Sequence, residues 1–144
     1  DTLDSRTFVC FTMAEIDLSS RRLRLANGGC PYTYHFRVTS GDVAELQVDG
    51  YPLGIRPDAA YASVEVQLEP GDYLVFCSDG IIEAENRSGE LFDFGRTADT
   101  VQNSCRQGLN SEELVGQLIA AVKRFAGEVA QGDDQTIVVV RMEE

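Results

Sequence analysis

Soft metal ligands are scarce in this 144-residue sequence, which has one histidine, His35, and four cysteines at positions 10, 30, 77 and 105. The cysteines form no C-x-x-C pair, so the pattern argues against a structural zinc site. Cys10 and Cys77 stand inside apolar, strand-like runs, where a reduced thiol behaves as a small hydrophobe; this points to a reducing, cytoplasmic setting. Long apolar runs are missing too, and nothing in the sequence spans a bilayer. No charged-then-apolar leader opens the chain. It starts abruptly at Asp1 on the approach to a strand, as an excised fragment would. Basic residues are few: 12 Lys and Arg stand against 24 Asp and Glu, for a net charge of −12. Such a field repels nucleic acid and anionic membrane surfaces, and neither is expected as a partner. Most of this acidity serves solubility. It also suits a site that gathers divalent cations, without identifying one.

What is present fits one soluble domain, long enough to bury a core without disulfide or metal staples. The first two-thirds reads as short strands separated by turn residues. Residues 7–17 are apolar on both alternating faces, the pattern of a strand covered on both sides. Residues 18–21 read as a turn and 22–27 as a second alternating strand. From Tyr32 to Val38, Tyr32, Tyr34, Phe36 and Val38 share one face. Thr33, His35 and Arg37 share the other, which predicts a half-solvated antiparallel strand. Ser40-Gly41-Asp42 then turns into a strand over 44–48, giving a hairpin. Residues 62–68 place Val64, Val66 and Leu68 inward. Pro70-Gly71 marks a turn before the buried run 73–78, and Asp72 reads as part of that turn.

After Gly80 the pattern becomes helical. A helical turn is expected over 81–85, broken by residues 86–89, and a helix over 96–107 carries Ala98, Val101 and Cys105. The strongest helix spans 111–126, with Leu114, Val115, Leu118, Ile119, Val122 and Phe125 as one stripe. Asn110 and Glu113 have capping-box spacing before it. A last strand, apolar on both faces, covers 135–142. The predicted class is α+β, rich in antiparallel strands, with helices covering a sheet.

Two acidic clusters sit where strands meet turns: Ser78-Asp79-Gly80 directly after one buried strand, 73–78, and Gly132-Asp133-Asp134 directly before another, 136–140. If those strands are neighbours, Asp79 and Asp133 converge. Converging carboxylates repel unless one is protonated or a cation lies between them. Mg²⁺ and Mn²⁺ suit such oxygen donors, with water filling the other positions. Aspartate beside glycine is also ordinary turn chemistry, so the pair alone does not decide between the two readings.

In order, the chain presents EIDLSSRRLRLANGG, GYPLGI, LEPGDYLVFCSDGIIEAENRSGELF and GDDQTIVVV. This succession resembles the bacterial stage-II-sporulation-E branch of the protein phosphatase 2C superfamily, from about Thr7 to Met142. The resemblance implies an antiparallel β-sandwich flanked by helices, present here as the C-terminal portion of a domain spanning residues 1–144. It implies a metal-dependent serine/threonine protein phosphatase with a two-metal Mn²⁺ or Mg²⁺ centre, whose metal-activated water attacks phosphorus. Asp79 and Asp133 match metal ligands of the family. Asp134 is expected to support its loop by hydrogen bonding, and Thr136 to pack or bond locally. The implied substrate is a phosphorylated regulatory protein of the anti-anti-sigma kind.

The departures from the family pattern are specific. The strands, Asp-x-x-Gly-His-Gly-like motif and two long helices that precede the matched region in the family have no counterpart in this sequence. Where the branch reads Asn-Ala-Gly-His, this chain has Asn27-Gly28-Gly29-Cys30, so Cys30 replaces a histidine and is expected to act as a small residue. His35 is expected on the solvated face of its strand, not in that role. Phe92-Asp93-Phe94-Gly95 is longer than the usual Phe-Gly and is expected to reshape one loop. Two carboxylates do not make a bimetal centre, so the chain alone is expected to be inactive. The alternative reading is a non-catalytic phosphatase-like interaction module in signalling. Exposed sheet edges left by absent strands would drive dimerisation or strand exchange.

Overall fold

Alternation and turn chemistry produce seven strands and three helices among the residues described by the computed structural model, 7–143. The expected strand approach at Asp1 falls on residues 1–6, outside the described residues. In chain order the elements are β1 (Phe11–Asp17), β2 (Arg22–Gly28), β3 (Thr33–Arg37), β4 (Asp42–Leu46), β5 (Ser63–Gln67) and β6 (Tyr73–Cys77). Then follow α1 (Asp79–Ile82), α2 (Asp93–Arg106), α3 (Ser111–Ala126) and β7 (Ile137–Arg141). Antiparallel sheets with helices make the α+β class read from the sequence. The chain divides into two compact units, Asp1–Tyr32 with Gln47–Leu68, and Thr33–Leu46 with Glu69–Glu144.

The first unit is a three-stranded antiparallel sheet in the order β1-β2-β5. Asp17 fixes the turn into β2: its Oδ1 accepts from Ser19 N at 2.8 Å, Ser19 Oγ at 2.6 Å and Ser20 N at 3.1 Å. Those bonds hold the Asp17 carboxyl below its usual range, the Ser19 hydroxyl contributing most. Leu23 pairs with Val66 and Leu25 with Val64, so the inward face of β5 is the one the alternation predicts. β1 departs from expectation. It lies at an edge of the sheet, and Phe11 and Met13 are 51% and 58% exposed. A strand apolar on both faces carries no contrast to show which face is covered.

The second unit is a four-stranded antiparallel sheet in the order β4-β3-β6-β7, with α2 and α3 contributing to its core. Tyr34, Phe36, Tyr73 and Val75 from the strands meet Val101, Leu114, Leu118 and Val122 from the helices. Phe36 and Tyr73 stack edge to face with centroids 5.9 Å apart. α3 has the predicted bounds and capping box: Asn110 Oδ1 accepts from Glu113 N, and Glu113 Oε2 accepts from Asn110 N, both at 2.9 Å. α2 begins earlier than the apolar spacing suggests. Asp93 Oδ1 accepts from Arg96 N at 3.0 Å, so Asp93 and Phe94 start the helix instead of reshaping a loop.

Two strands of this sheet correct the sequence reading. β7 is an edge strand, and Val138 is 50% exposed. β3 is not half-solvated, because Thr33 and His35 are buried along with Tyr34 and Phe36. His35, 2% exposed, is satisfied by a partner far off in sequence: its Nε2 lies 2.8 Å from Asp72 Oδ2.

Candidate metal centre

The sheet register brings the two acidic clusters together. β6 and β7 are antiparallel neighbours whose last pair at this end is Cys77 with Ile137. Asp79 therefore leaves one strand beside the segment through which Asp133 enters the other. Ser78 closes the gap. Its N–H donates to Thr136 O at 2.9 Å, its Oγ–H donates to Asp134 O at 3.0 Å, and its Oγ accepts from Thr136 N at 2.9 Å. Sequence reasoning gave Ser78 no role. The only available signal is a serine placed between a buried strand and an Asp-Gly turn.

Gly80 is required by space. A Cβ there would lie 2.2 Å from Asp134 O and 3.2 Å from Asp133 O, so only hydrogen lets α1 approach the 133–134 backbone this closely. Gln135 Nε2 donates to Gly80 O at 3.3 Å, and Gln131 Nε2 donates to Asp133 O at 2.8 Å. Asp134 supports the loop as expected, but through its backbone: its N–H donates to Asp133 Oδ1 at 2.7 Å.

Asp79 and Asp133 are both exposed. Each carboxylate accepts one local backbone N–H, from Gly80 at 3.2 Å and from Asp134 at 2.7 Å. Neither forms an ion pair with a lysine or arginine among the described residues. Oxygen donors remain for a hard cation, and the donor chemistry fits Mg²⁺ or Mn²⁺ better than zinc. Among the described residues no group of three or more His, Cys, Asp or Glu side chains could hold a metal ion. The residues present fit a share of a metal centre.

The other marked residues have partners of their own. In the first unit, Asn27 clasps Cys30: Nδ2 donates to Cys30 O and Oδ1 accepts from Cys30 N, both at 2.9 Å. His35 belongs to the second unit and is engaged by Asp72. Beside the carboxylates lies a cavity of about 630 Å³, whose lining includes Gly80 and Asp133.

Comparison with known proteins identifies the family and the fold. The family model described as stage II sporulation protein E matches residues 1–143. The phosphoserine phosphatase RsbU of Bacillus subtilis is 22% identical over 96% of this chain and 40% of its own length. Protein IcfG of Synechocystis is also 22% identical, over 95% of this chain and 21% of its own length. Among solved structures, the SiaA-PP2C domain of Pseudomonas aeruginosa matches with a TM-score of 0.79 and 28% identity, over 92% of this chain and 51% of that one. The PP2C phosphatase domain of Bacillus subtilis SpoIIE, solved with a fragment of its regulatory domain, gives 0.72 and 26%, over 93% and 38%. The chain thus spans less than half of its curated relatives and about half of the SiaA domain. The motif order, the antiparallel α+β architecture and the match over residues 1–143 place this chain in the stage II sporulation protein E family, with the fold of PP2C phosphatase domains.

Proposed function

We propose that this chain contributes Asp79 and Asp133 to the metal centre of a serine/threonine protein phosphatase that acts on a phosphorylated bacterial regulatory protein. The observation that carries the reading is the pairing of β6 with β7, which sets the two carboxylates at adjacent strand ends free of any basic partner among the described residues. The similarity to RsbU, named as a phosphoserine phosphatase, supports the substrate chemistry. An anti-anti-sigma-like protein is the proposed substrate. The proposed setting is cytoplasmic, and the reduced thiols Cys77 and Cys105 in the core favour it.

Asp79 and Asp133 would hold part of an Mn²⁺ or Mg²⁺ centre, which would lower the pKa of a coordinated water and neutralise charge on the phosphoryl oxygens. The chain's own residues prepare the position. Ser78 and Gln135 lock the two loops together, so both carboxylates are held by backbone that is already hydrogen-bonded. Their mutual repulsion is relieved when a cation binds, which favours the loaded state. Two carboxylates leave the ligand set short, so the isolated 144 residues are expected to hydrolyse para-nitrophenyl phosphate poorly.

A second reading, a non-catalytic interaction module, is favoured by the absence of a larger metal-binding cluster among the described residues. Exposed edges at β1 and β7 fit self-association under either reading. Mn²⁺ titration of the wild type against Asp79→Asn and Asp133→Asn separates them. The phosphatase reading expects at least a tenfold loss of affinity in each variant, and equal binding by all three proteins sinks it.

A further inference from the structure

The cavity beside Asp133 has a chemistry that the metal reading does not use. It is bounded by α1, by the end of α3 and by the loop that leads to Asp133. Val122 and Ala126 give it an apolar wall, while Glu83 and Glu85 stand against a single cation, Lys123. None of these three charged side chains forms an ion pair among the described residues. The C-terminus of the 16-residue helix α3 also borders the space, and the negative end of its dipole adds to the preference for positive charge. A second cavity of about 490 Å³ shares Ala126, Gly127 and Val129 with the first, so the hollow continues past the end of α3.

We propose that this cavity is a specificity subsite of the phosphatase, taking a lysine or arginine side chain that flanks the phosphorylated residue of the substrate protein. The inference rests on the reading under Proposed function. An aliphatic stem against Val122 and Ala126, with a cationic head at Glu83 and Glu85, matches the amphipathic build of those side chains. Asp133 and Gly80 belong to the lining, so a segment placed with its phosphate at the carboxylates has its neighbours within reach of the hollow. The adjoining cavity gives such a segment room to continue.

The test uses the full 144-residue chain and fluorescent phosphoserine peptides that carry lysine, alanine or glutamate at one position from about −3 to +3. Anisotropy titrations are run on the wild type and on the Glu83→Gln/Glu85→Gln double variant. Both glutamates are exposed, so the double variant is expected to keep the wild-type unfolding midpoint. At one position, the lysine peptide is expected to bind about fivefold tighter than the glutamate peptide. That ratio should fall below about twofold in the double variant and in high salt. A ratio that persists in the double variant overturns the subsite, as does equal or undetectable binding of all peptides. The Mn²⁺ titration reads the phosphatase proposal separately. A lysine preference that depends on the glutamates, with Mn²⁺ binding indifferent to Asp79 and Asp133, removes the metal reading and leaves the cation subsite standing.

Discussion

His35 Nε2 and Asp72 Oδ2 lie 2.8 Å apart with both residues at most 2% exposed, joining β3 to the turn that precedes β6. Asp72 does more than accept from one ring. Its Oδ1 accepts from Val38 N at 3.0 Å and its Oδ2 from Glu69 N at 3.1 Å, while its carbonyl accepts from Met142 N at 2.8 Å. One residue thus ties the end of β3, the Pro70-Gly71 turn and the end of β7. The left-handed Gly71, at φ +91°, lets the chain fold back tightly enough to do so.

Asp72→Ala should therefore cost about 3–5 kcal/mol, because it strands a buried imidazole and two backbone donors at once. Asp72→Asn keeps one acceptor oxygen and should cost less. Urea unfolding of the two variants checks the order. A loss below about 1 kcal/mol in Asp72→Ala would mean that water replaces the carboxylate, contrary to the burial.

Residues whose partners are near in sequence are the ones that pattern reading recovers. Asn110 and Glu113 announce α3, and Pro70-Gly71 announces the turn. The placement of Asp79 and Asp133 at adjacent strand ends was legible because each flanks an apolar strand, and only the pairing of those strands had to be supposed. His35 was misread because its partner is 37 residues away, and a histidine in an alternating strand looks solvated without it. β1 and β7 were misread for the opposite reason. Apolar on both faces, they give no hint that they lie at sheet edges, where one flank has no neighbour.

Gly80→Ala tests the closeness of the two loops. The added methyl would sit 2.2 Å from a backbone oxygen that cannot rotate away, so α1 or the 133–134 segment must move. A cost of about 1–3 kcal/mol is expected, and Mn²⁺ affinity should fall as the carboxylates separate. Unchanged stability and unchanged Mn²⁺ binding would mean that the loops adjust freely, and that their proximity is not what defines the site.

Gly116→Ala supplies the contrast. This glycine lies on the exposed side of α3, and a Cβ there meets nothing within 4 Å. Replacing it removes backbone freedom from the unfolded chain and adds a better helix former, so stability should rise by about 0.5–1 kcal/mol. Asn110→Ala acts on the same helix in the other direction. It removes one half of the capping box and should cost about 1 kcal/mol. Calorimetric midpoints moving in opposite directions are the expected result, and a destabilised Gly116→Ala would point to a contact that the static fold does not contain.

Cys77 and Cys105 make the alkaline limb of stability predictable. Burial pushes both thiols from an ordinary value of 9.0 up to about 12, and the Arg141 charge only partly opposes this at Cys105. The folded state therefore holds these protons more tightly than the unfolded chain does. Their contribution is complete below about pH 9 and is lost as the pH rises from there towards 12, by up to about 1.4 kcal/mol per pH unit for Cys77. Burial raises Tyr34 and Tyr73 as well, so they act in the same direction. Urea midpoints should hold steady up to about pH 9 and then fall, more gently in Cys77→Val than in the wild type. Superimposable pH profiles for the two proteins would show that the Cys77 thiol ionises without unfolding, against its place in the core that β6 forms with the helices.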